Sequence, residues 1–425
     1  MRITGFSWNP VFLLTTFLVI VSASLTNKTL FGIDLKDLPN SFLGKLAILN
    51  AVPYDPNTVL TTPQMIRRAG YPAESHIVRT ADGYLLEMHR IPNESGYPIF
   101  LQHGLWCSSA DWITQGKGKA LAYLLADLGF DVWLGNYRGN TYSTAHVILN
   151  PANPLFWNFS WHDMGIYDLP SMITYVTDIK KQPVIYIGHS MGTTALFVMA
   201  AKCPDMHSKI RFMFGYAPVG FNSHWKTPLR DLASYSKLLA SWGDTFGYGP
   251  ILTRDAEIDP FISLLCNPSK LGEAECETFV FQLFGSDYTQ LEPDWIPNMM
   301  AHMPAGSSTK TVNHYLQIFE SKQFQEYDHG PTKNLQLYYS VLPPAYDLTK
   351  ITLPIFFFYG LNDVAAPPED VTAFYALLPN GKGISAVNYT QFSHLDFLWA
   401  KDAKPLVYDQ TISMIQKIVA EGANN

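Results

Sequence analysis

Positive charge is in short supply: 29 Lys and Arg stand against 36 Asp and Glu in 425 residues, a formal net charge of −7. Without a basic excess there is no electrostatic footprint for a polyanion, so no nucleic-acid partner is expected. Cysteine is scarce, with 4 residues, and no Cys-x-x-Cys or His-Glu-x-x-His spacing occurs, so neither a metal site nor a cofactor is expected. No apolar run reaches the roughly 20 residues of a permanent bilayer span, and no repeat or low-complexity tract interrupts the chain. Its C-terminus carries no retention or lipid-anchor signal. Nothing in the pattern specifies an oligomeric state. What is abundant is apolar residues, 47% of the chain, enough for one large core with an insertion or two smaller cores.

At the N-terminus, Arg2 precedes the apolar run Val11–Val21, and the small residues Ser22, Ala23 and Ser24 follow it. This is the pattern of a signal peptide, residues 1–23, with an uncleaved anchor as the alternative, and predicts a secretory route ending outside the cell or in a lysosome. That route permits disulfides. The closely spaced Cys266 and Cys276 are the expected bridge, whereas Cys107 and Cys203 sit in apolar contexts and read as buried free thiols. Four Asn-x-Ser/Thr sequons, at Asn27, Asn93, Asn158 and Asn388, are candidate glycosylation sites and should lie on the surface if used.

Short apolar runs alternate with helical stretches: Tyr97–Gln102, Phe130–Leu134, Val184–Ile187, Ile355–Tyr359 and Ile384–Tyr389. Continuous apolar strands separated by helices predict an α/β fold with a mostly parallel sheet. Ser75–Thr80 and Gly83–Arg90, joined through Ala81-Asp82, predict a leading hairpin. Between about 222 and 330 the texture changes: Trp, Tyr, Phe, Met and Pro become dense and clean strand runs disappear. The expected organisation is a core from 24–221, an inserted, mainly helical cap or lid from 222–330, and the rest of the core from 331–425.

Gly188-His-Ser-Met-Gly192 follows one apolar run and precedes the helix-like Thr193–Ala201. By composition alone, about one chain in seven of this length would contain Gly-x-Ser-x-Gly by chance. The strand–turn–helix setting is the informative part, because it is what a nucleophile elbow requires, and it makes Ser190 the candidate nucleophile. A serine hydroxyl needs a base oriented by a carboxylate. In an elbow-bearing fold these follow in the order acid, then histidine. Asp363, after the Ile355–Tyr359 strand, and His394, after the last strand, fit that order. Asp370 and Asp396 are rival acids, His189 neighbours the serine but should point elsewhere, and His103 should shape its own loop. Oxyanion donors are expected from the backbone of Met191, after the serine, and of Leu105, in the loop following Tyr97–Gln102.

Around these residues the sequence resembles the acid lipase family, the group of gastric and lysosomal acid lipases, from about residue 63 to about residue 417. The resemblance rests on Gly70-Tyr-Pro-Ala-Glu-Ser-His76, Thr80-Ala-Asp-Gly-Tyr84, Arg90-Ile-Pro92, His103-Gly-Leu105, Asp131-Val-Trp-Leu-Gly-Asn136, Arg138-Gly-Asn-Thr141, Tyr167-Asp-Leu-Pro170, Pro304-Ala-Gly306 and His394-Leu-Asp-Phe397. It implies an α/β-hydrolase core with a cap and lid that cleaves triacylglycerols or sterol esters at a lipid–water interface at acidic pH. It places nucleophile, acid and base on Ser190, Asp363 and His394, and the oxyanion donors on Leu105 and Met191. Met191 stands where the family commonly has Gln, and Tyr137 where it usually has a smaller residue. The competing readings are an esterase for smaller soluble esters and a non-catalytic lipid-binding or storage relative.

Overall fold

The computed structural model describes residues 29–30, 33–34, 55–254, 284–285, 287, 289–292 and 295–423. The signal-peptide segment 1–23, Asn27, Cys266, Cys276 and residues 255–283 of the expected cap lie outside the described residues.

A nine-stranded sheet organises the chain. It begins with an antiparallel hairpin, β1 (Glu74–Arg79) and β2 (Tyr84–Ile91). Thr80 and Asp82 close the turn, the Thr80 hydroxyl donating to Asp82 at 2.6 Å and accepting from the Tyr84 amide at 2.8 Å. Gly83 supplies the positive φ of 102° that the turn needs. There follow β3 (Pro98–Gln102), β4 (Asp131–Leu134), the short β5 (Ala145–His146), β6 (Val184–His189), β7 (Ile210–Tyr216), β8 (Ile355–Tyr359) and β9 (Gly381–Ala386). Spatially the order is β9-β8-β7-β6-β3-β4-β2-β1, with β5 beside β2. All pairings from β4 through β9 are parallel, and those of β2 with β1, β4 and β5 are antiparallel.

Every residue of β3, β4 and β6 is buried. That explains why these strands read as continuous apolar runs: helices cover both faces of a parallel sheet. The longer helices are α1 (Thr62–Arg68), α2 (Leu121–Asp127), α3 (Leu169–Lys180), α4 (Met191–Lys202), α5 (Ser236–Phe246), α6 (Ile296–His302), α7 (Thr309–Ser321), α8 (Pro331–Tyr338), α9 (Pro368–Tyr375) and α10 (Asp409–Ala423). α4 is buried from Met191 to Ala201, Thr193 and Thr194 included, so it is covered on all sides rather than along one stripe. Among the described residues, the stretch between β7 and β8 carries a 3₁₀ segment at Pro228–Tyr235, helices α5 to α8 and a two-stranded ribbon pairing Pro250–Ile251 with Ser307–Ser308, joined by loops.

Two details differ from the sequence reading. β7 fills the sheet between β6 and β8, although the run carrying Arg211 and Gly215 is not among the strands read from the sequence. Arg211 is the one exposed residue of β7, and the rest is buried. The last strand spans Gly381–Ala386 instead of Ile384–Tyr389. It is the edge strand, where half-exposure lets Lys382 and two glycines serve and removes the apolar signal.

The chain order creates a crevice. From β3 the path moves to β4 on one side and later to β6 on the other, so the carboxyl ends of β3 and β6 flank a topological switch point, where open α/β sheets bind ligands.

Candidate active site

At that crevice β6 ends and α4 begins with Ser190 between them, at φ 54° and ψ −119°. This backbone conformation is costly for any residue with a Cβ and persists only where surrounding bonds over-determine it. They do so here. The Ser190 amide donates to the Tyr216 carbonyl at 3.0 Å, and the Ser190 carbonyl accepts from the Thr193 amide at 2.8 Å and its hydroxyl at 2.6 Å. The flanking glycines are steric requirements. A Cβ on Gly192 would fall 2.4 Å from the Gln102 carbonyl oxygen, and one on Gly188 would fall 2.8 Å from the Tyr186 ring.

His394 Nε2 lies 2.8 Å from Ser190 Oγ, and its Nδ1 lies 2.8 Å from Asp363 Oδ2. All three residues are buried, Asp363 and His394 to 2% exposure. Asp363 sits in the loop after β8, where its Oδ1 accepts from the amides of Ala365 at 2.8 Å and Ala366 at 2.7 Å. The rival acids are engaged elsewhere. Asp370 accepts from the His224 amide at 2.9 Å and lies 2.7 Å from its ring, while Asp396 Oδ2 accepts from the Ser393 amide at 2.5 Å. Burial, opposed by the Ser393 amide and reinforced by the charges of Asp287 and Asp363, pushes the Asp396 carboxyl up to about 7.

The loop after β3 packs directly onto the serine: a Cβ on Gly104 would come 3.1 Å from both Ser190 Cβ and His189 Nδ1. His103 pins this loop. Its Nε2 accepts from the Tyr137 amide at 3.1 Å and Asn140 Nδ2 at 3.2 Å, leaving Nδ1–H to donate to the Gly104 carbonyl at 2.8 Å. Burial holds the ring down at about 4, so it stays neutral in that tautomer. Leu105 follows in this loop, and Met191, as the first residue of α4, has an amide with no carbonyl to pair with inside the helix.

Two residues that sequence reasoning did not single out border the same place. Phe284 stacks on the His394 ring at 5.7 Å with 11° between the planes, and its carbonyl accepts from the His394 amide at 3.3 Å. Trp106, at φ 60°, offers its carbonyl to the Ala305 amide at 2.6 Å. With Ile251 and Val312 it forms a small apolar cluster apart from the main core, against which Leu105, Leu229, Leu252 and Phe284 pack. No pattern in the sequence marks Phe284 or Trp106, because their neighbours come from distant segments.

Among the described residues no cluster of His, Cys, Asp and Glu could hold a metal ion, and no helix is long and apolar enough to cross a membrane. Cys107 is a buried free thiol, whereas Cys203 is free but partly exposed, against the expectation of burial, because it caps the end of α4. Asn158 and Asn388 are exposed. Asn93 is half-buried, its side-chain amide donating to the Gly129 carbonyl at 2.7 Å.

A family described as partial alpha/beta-hydrolase lipase region matches residues 62–116, and one described as alpha/beta hydrolase fold matches residues 97–400. Lipase lipl-1 of Caenorhabditis elegans is 37% identical over 382 residues, 87% of this chain and 94% of that protein. Gastric triacylglycerol lipase of Bos taurus is 36% identical over 387 residues, 88% of this chain and 94% of that protein. Among solved structures, a soluble variant of monoglyceride lipase from Saccharomyces cerevisiae matches with a TM-score of 0.50 at 14% identity, covering 86% of this chain and 99% of that one, a likeness of fold. The chain therefore belongs to the acid lipase family of α/β-hydrolases, a family of carboxylic ester hydrolases.

Proposed function

We propose that the protein is a lipase that hydrolyses carboxylic esters of neutral lipids, triacylglycerols or sterol esters, through an acyl-enzyme on Ser190, at acidic pH in a secreted or lysosomal setting. The observation that carries this reading is the unbroken chain of hydrogen bonds from Ser190 Oγ through His394 to Asp363 at the switch point. His394 Nε2 takes the Ser190 proton as Oγ attacks the ester carbonyl, and the Leu105 and Met191 amides receive the developing oxyanion. Collapse of the tetrahedral intermediate expels the alcohol, which leaves with the proton from His394. Water, deprotonated by the same nitrogen, then attacks the acyl-enzyme and releases the fatty acid, returning the proton to Ser190. Asp363 holds the imidazole in the Nδ1–H tautomer and stabilises its charged form.

The apolar group of Trp106, Ile251 and Val312, adjoining Leu105, supports an acyl chain as the ligand on the acid side of the ester. The gastric triacylglycerol lipase relative supports a lipid ester as substrate. A signal peptide and exposed sequons at Asn158 and Asn388 would suit a secretory route. The decisive experiment compares wild type with Ser190→Ala on emulsified trioleoylglycerol, cholesteryl oleate and a soluble butyrate ester between about pH 4 and pH 8. Wild type is expected to favour the emulsified long-chain esters at acidic pH, and Ser190→Ala to fold and lose at least about 10⁴-fold in turnover. Full activity in the alanine variant would remove Ser190 from the reaction, and preference for the soluble ester would make the protein an esterase.

A further inference from the structure

The residue before the nucleophile has a free choice of side chain in a Gly-x-Ser-x-Gly elbow, and here it is a histidine that the chemistry above does not use. His189 is 1% exposed at the end of β6. Its Nε2 lies 2.9 Å from the backbone carbonyl oxygen of His394. Since a carbonyl only accepts, the ring must be the Nε2–H tautomer. Among the described residues Nδ1 has no hydrogen-bond partner, and it faces Gly104, where an added Cβ would come within 3.1 Å of it. The His394 ring lies 4.9 Å away and the Phe397 ring 6.4 Å away. Burial, and then the neighbouring His394 and His103, disfavour a charge on His189 and hold it neutral.

His189 therefore touches all three parts of the site: it precedes Ser190, lies under Gly104 of the Leu105 loop, and grips the loop that carries the base. Its role is clearest from the side of His394. The His394 amide is tied to the Phe284 carbonyl, its Nδ1 to Asp363, its Nε2 to Ser190 and its carbonyl to His189. Of these four bonds, that to His189 ties the main chain of the base to the nucleophile's own strand, so the two reacting residues share one rigid frame. A base displaced by about 1 Å can cost on the order of 10²-fold in rate.

We infer that His189 is a positioning residue for ester hydrolysis: its Nε2–H anchors the His394 backbone and so keeps His394 Nε2 within reach of Ser190 Oγ. The inference rests on the triad reading, and Ser190→Ala is measured beside the test variants to separate the two. His189→Met fills a similar volume without a donor, and His189→Gln puts an amide N–H where Nε2 stood. With p-nitrophenyl butyrate as substrate, His189→Met is expected to lose about 10- to 100-fold in kcat with KM changed by less than about twofold. His189→Gln should recover most of that loss at a matching thermal midpoint. For wild type, ¹⁵N-histidine spectra should show a buried neutral ring protonated at Nε2, a signal absent from His189→Gln; this holds as a test even if His189→Met does not fold. Wild-type kcat in a folded His189→Met, equal impairment of both folded variants, or a wild-type His189 protonated at Nδ1 would each overturn the inference. Activity surviving in Ser190→Ala would instead overturn the triad reading beneath it.

Discussion

Asp363 has both carboxylate oxygens in use, one accepting from the Ala365 and Ala366 amides and the other bonded to His394 Nδ1. The two amides fix the carboxylate's orientation, so the second oxygen can do nothing but face the imidazole. An asparagine there could keep its oxygen on the amides but would present an NH₂ to Nδ1, forcing the ring into the opposite tautomer. Asp363→Asn is therefore expected to lower kcat by about 10³- to 10⁴-fold. Asp370→Asn, which alters only the contact with a largely exposed His224, should leave kcat within about twofold of wild type. Steady-state hydrolysis of a p-nitrophenyl ester measures both. A larger loss at Asp370 than at Asp363 would move the carboxylate of the site.

The β6–α4 junction is the element most legible in the sequence, since its requirements are local: an apolar run, a strained residue with glycine on either side, then a helix. Even so, the identity of Gly192 is decided across elements, because the space for its Cβ is taken by the Gln102 and His103 carbonyls at the end of β3, 2.4 Å and 3.0 Å away. Gly192→Ala must push α4 from the loop that holds Leu105. A loss of about 1–3 kcal/mol in unfolding free energy is expected from such overpacking, together with a fall in kcat larger than the fall in substrate affinity. Urea unfolding and kinetics on one preparation check this, and an alanine variant as stable and active as wild type would contradict the close packing. Strand edges are the opposite case. β9 starts three residues before its apolar run, because an edge strand of half-exposed residues gives no hydrophobic pattern to read.

Over the whole molecule, separate sequence blocks turn out to be halves of buried ion networks. Thr80–Tyr84, Arg138–Thr141 and Tyr167–Pro170 meet where Arg138, 2% exposed, pairs with Asp82 at 2.6 Å and Asp168 at 2.6 Å and lies over the Tyr84 ring. Against the cost of burial, Arg138 holds the Asp82 carboxyl below its ordinary range. Arg90 likewise joins Asp131 at 2.8 Å to Glu74 at 3.0 Å. Removing one partner of the fully buried pairs, Arg138–Asp168 or Arg90–Asp131, leaves a charge stranded, typically at a cost of about 3–5 kcal/mol, which is reason enough for their blocks to occur together. Other buried carboxyls bias the molecule toward acid. Burial raises Asp396 and Asp111 to about 7 each. A carboxyl held above its unfolded value keeps its proton in the folded state. Each such group therefore stabilises the fold at low pH and withdraws up to about 1.4 kcal/mol per pH unit as pH climbs from about 4 to about 7. Asp396→Asn keeps an acceptor for the Ser393 amide but cannot ionise. Its thermal midpoint should fall less steeply than that of wild type between about pH 5 and pH 7, and an unchanged slope would show that Asp396 does not titrate there.

Local pattern was enough for the fully buried strands β3, β4 and β6, for the strand–turn–helix at Ser190 and for the chain order of Ser190, Asp363 and His394, but not for the buried β7, because each of those rests on local periodicity, on backbone conformation or on chain direction at a switch point. The tertiary structure decided which of three nearby aspartates faces His394, since Asp363, Asp370 and Asp396 differ only in the amides and rings folded against them. It also decided what His189 does. From sequence that residue is merely the serine's neighbour. In the fold it meets a carbonyl 205 residues away, and only closure of the chain brings donor and acceptor together.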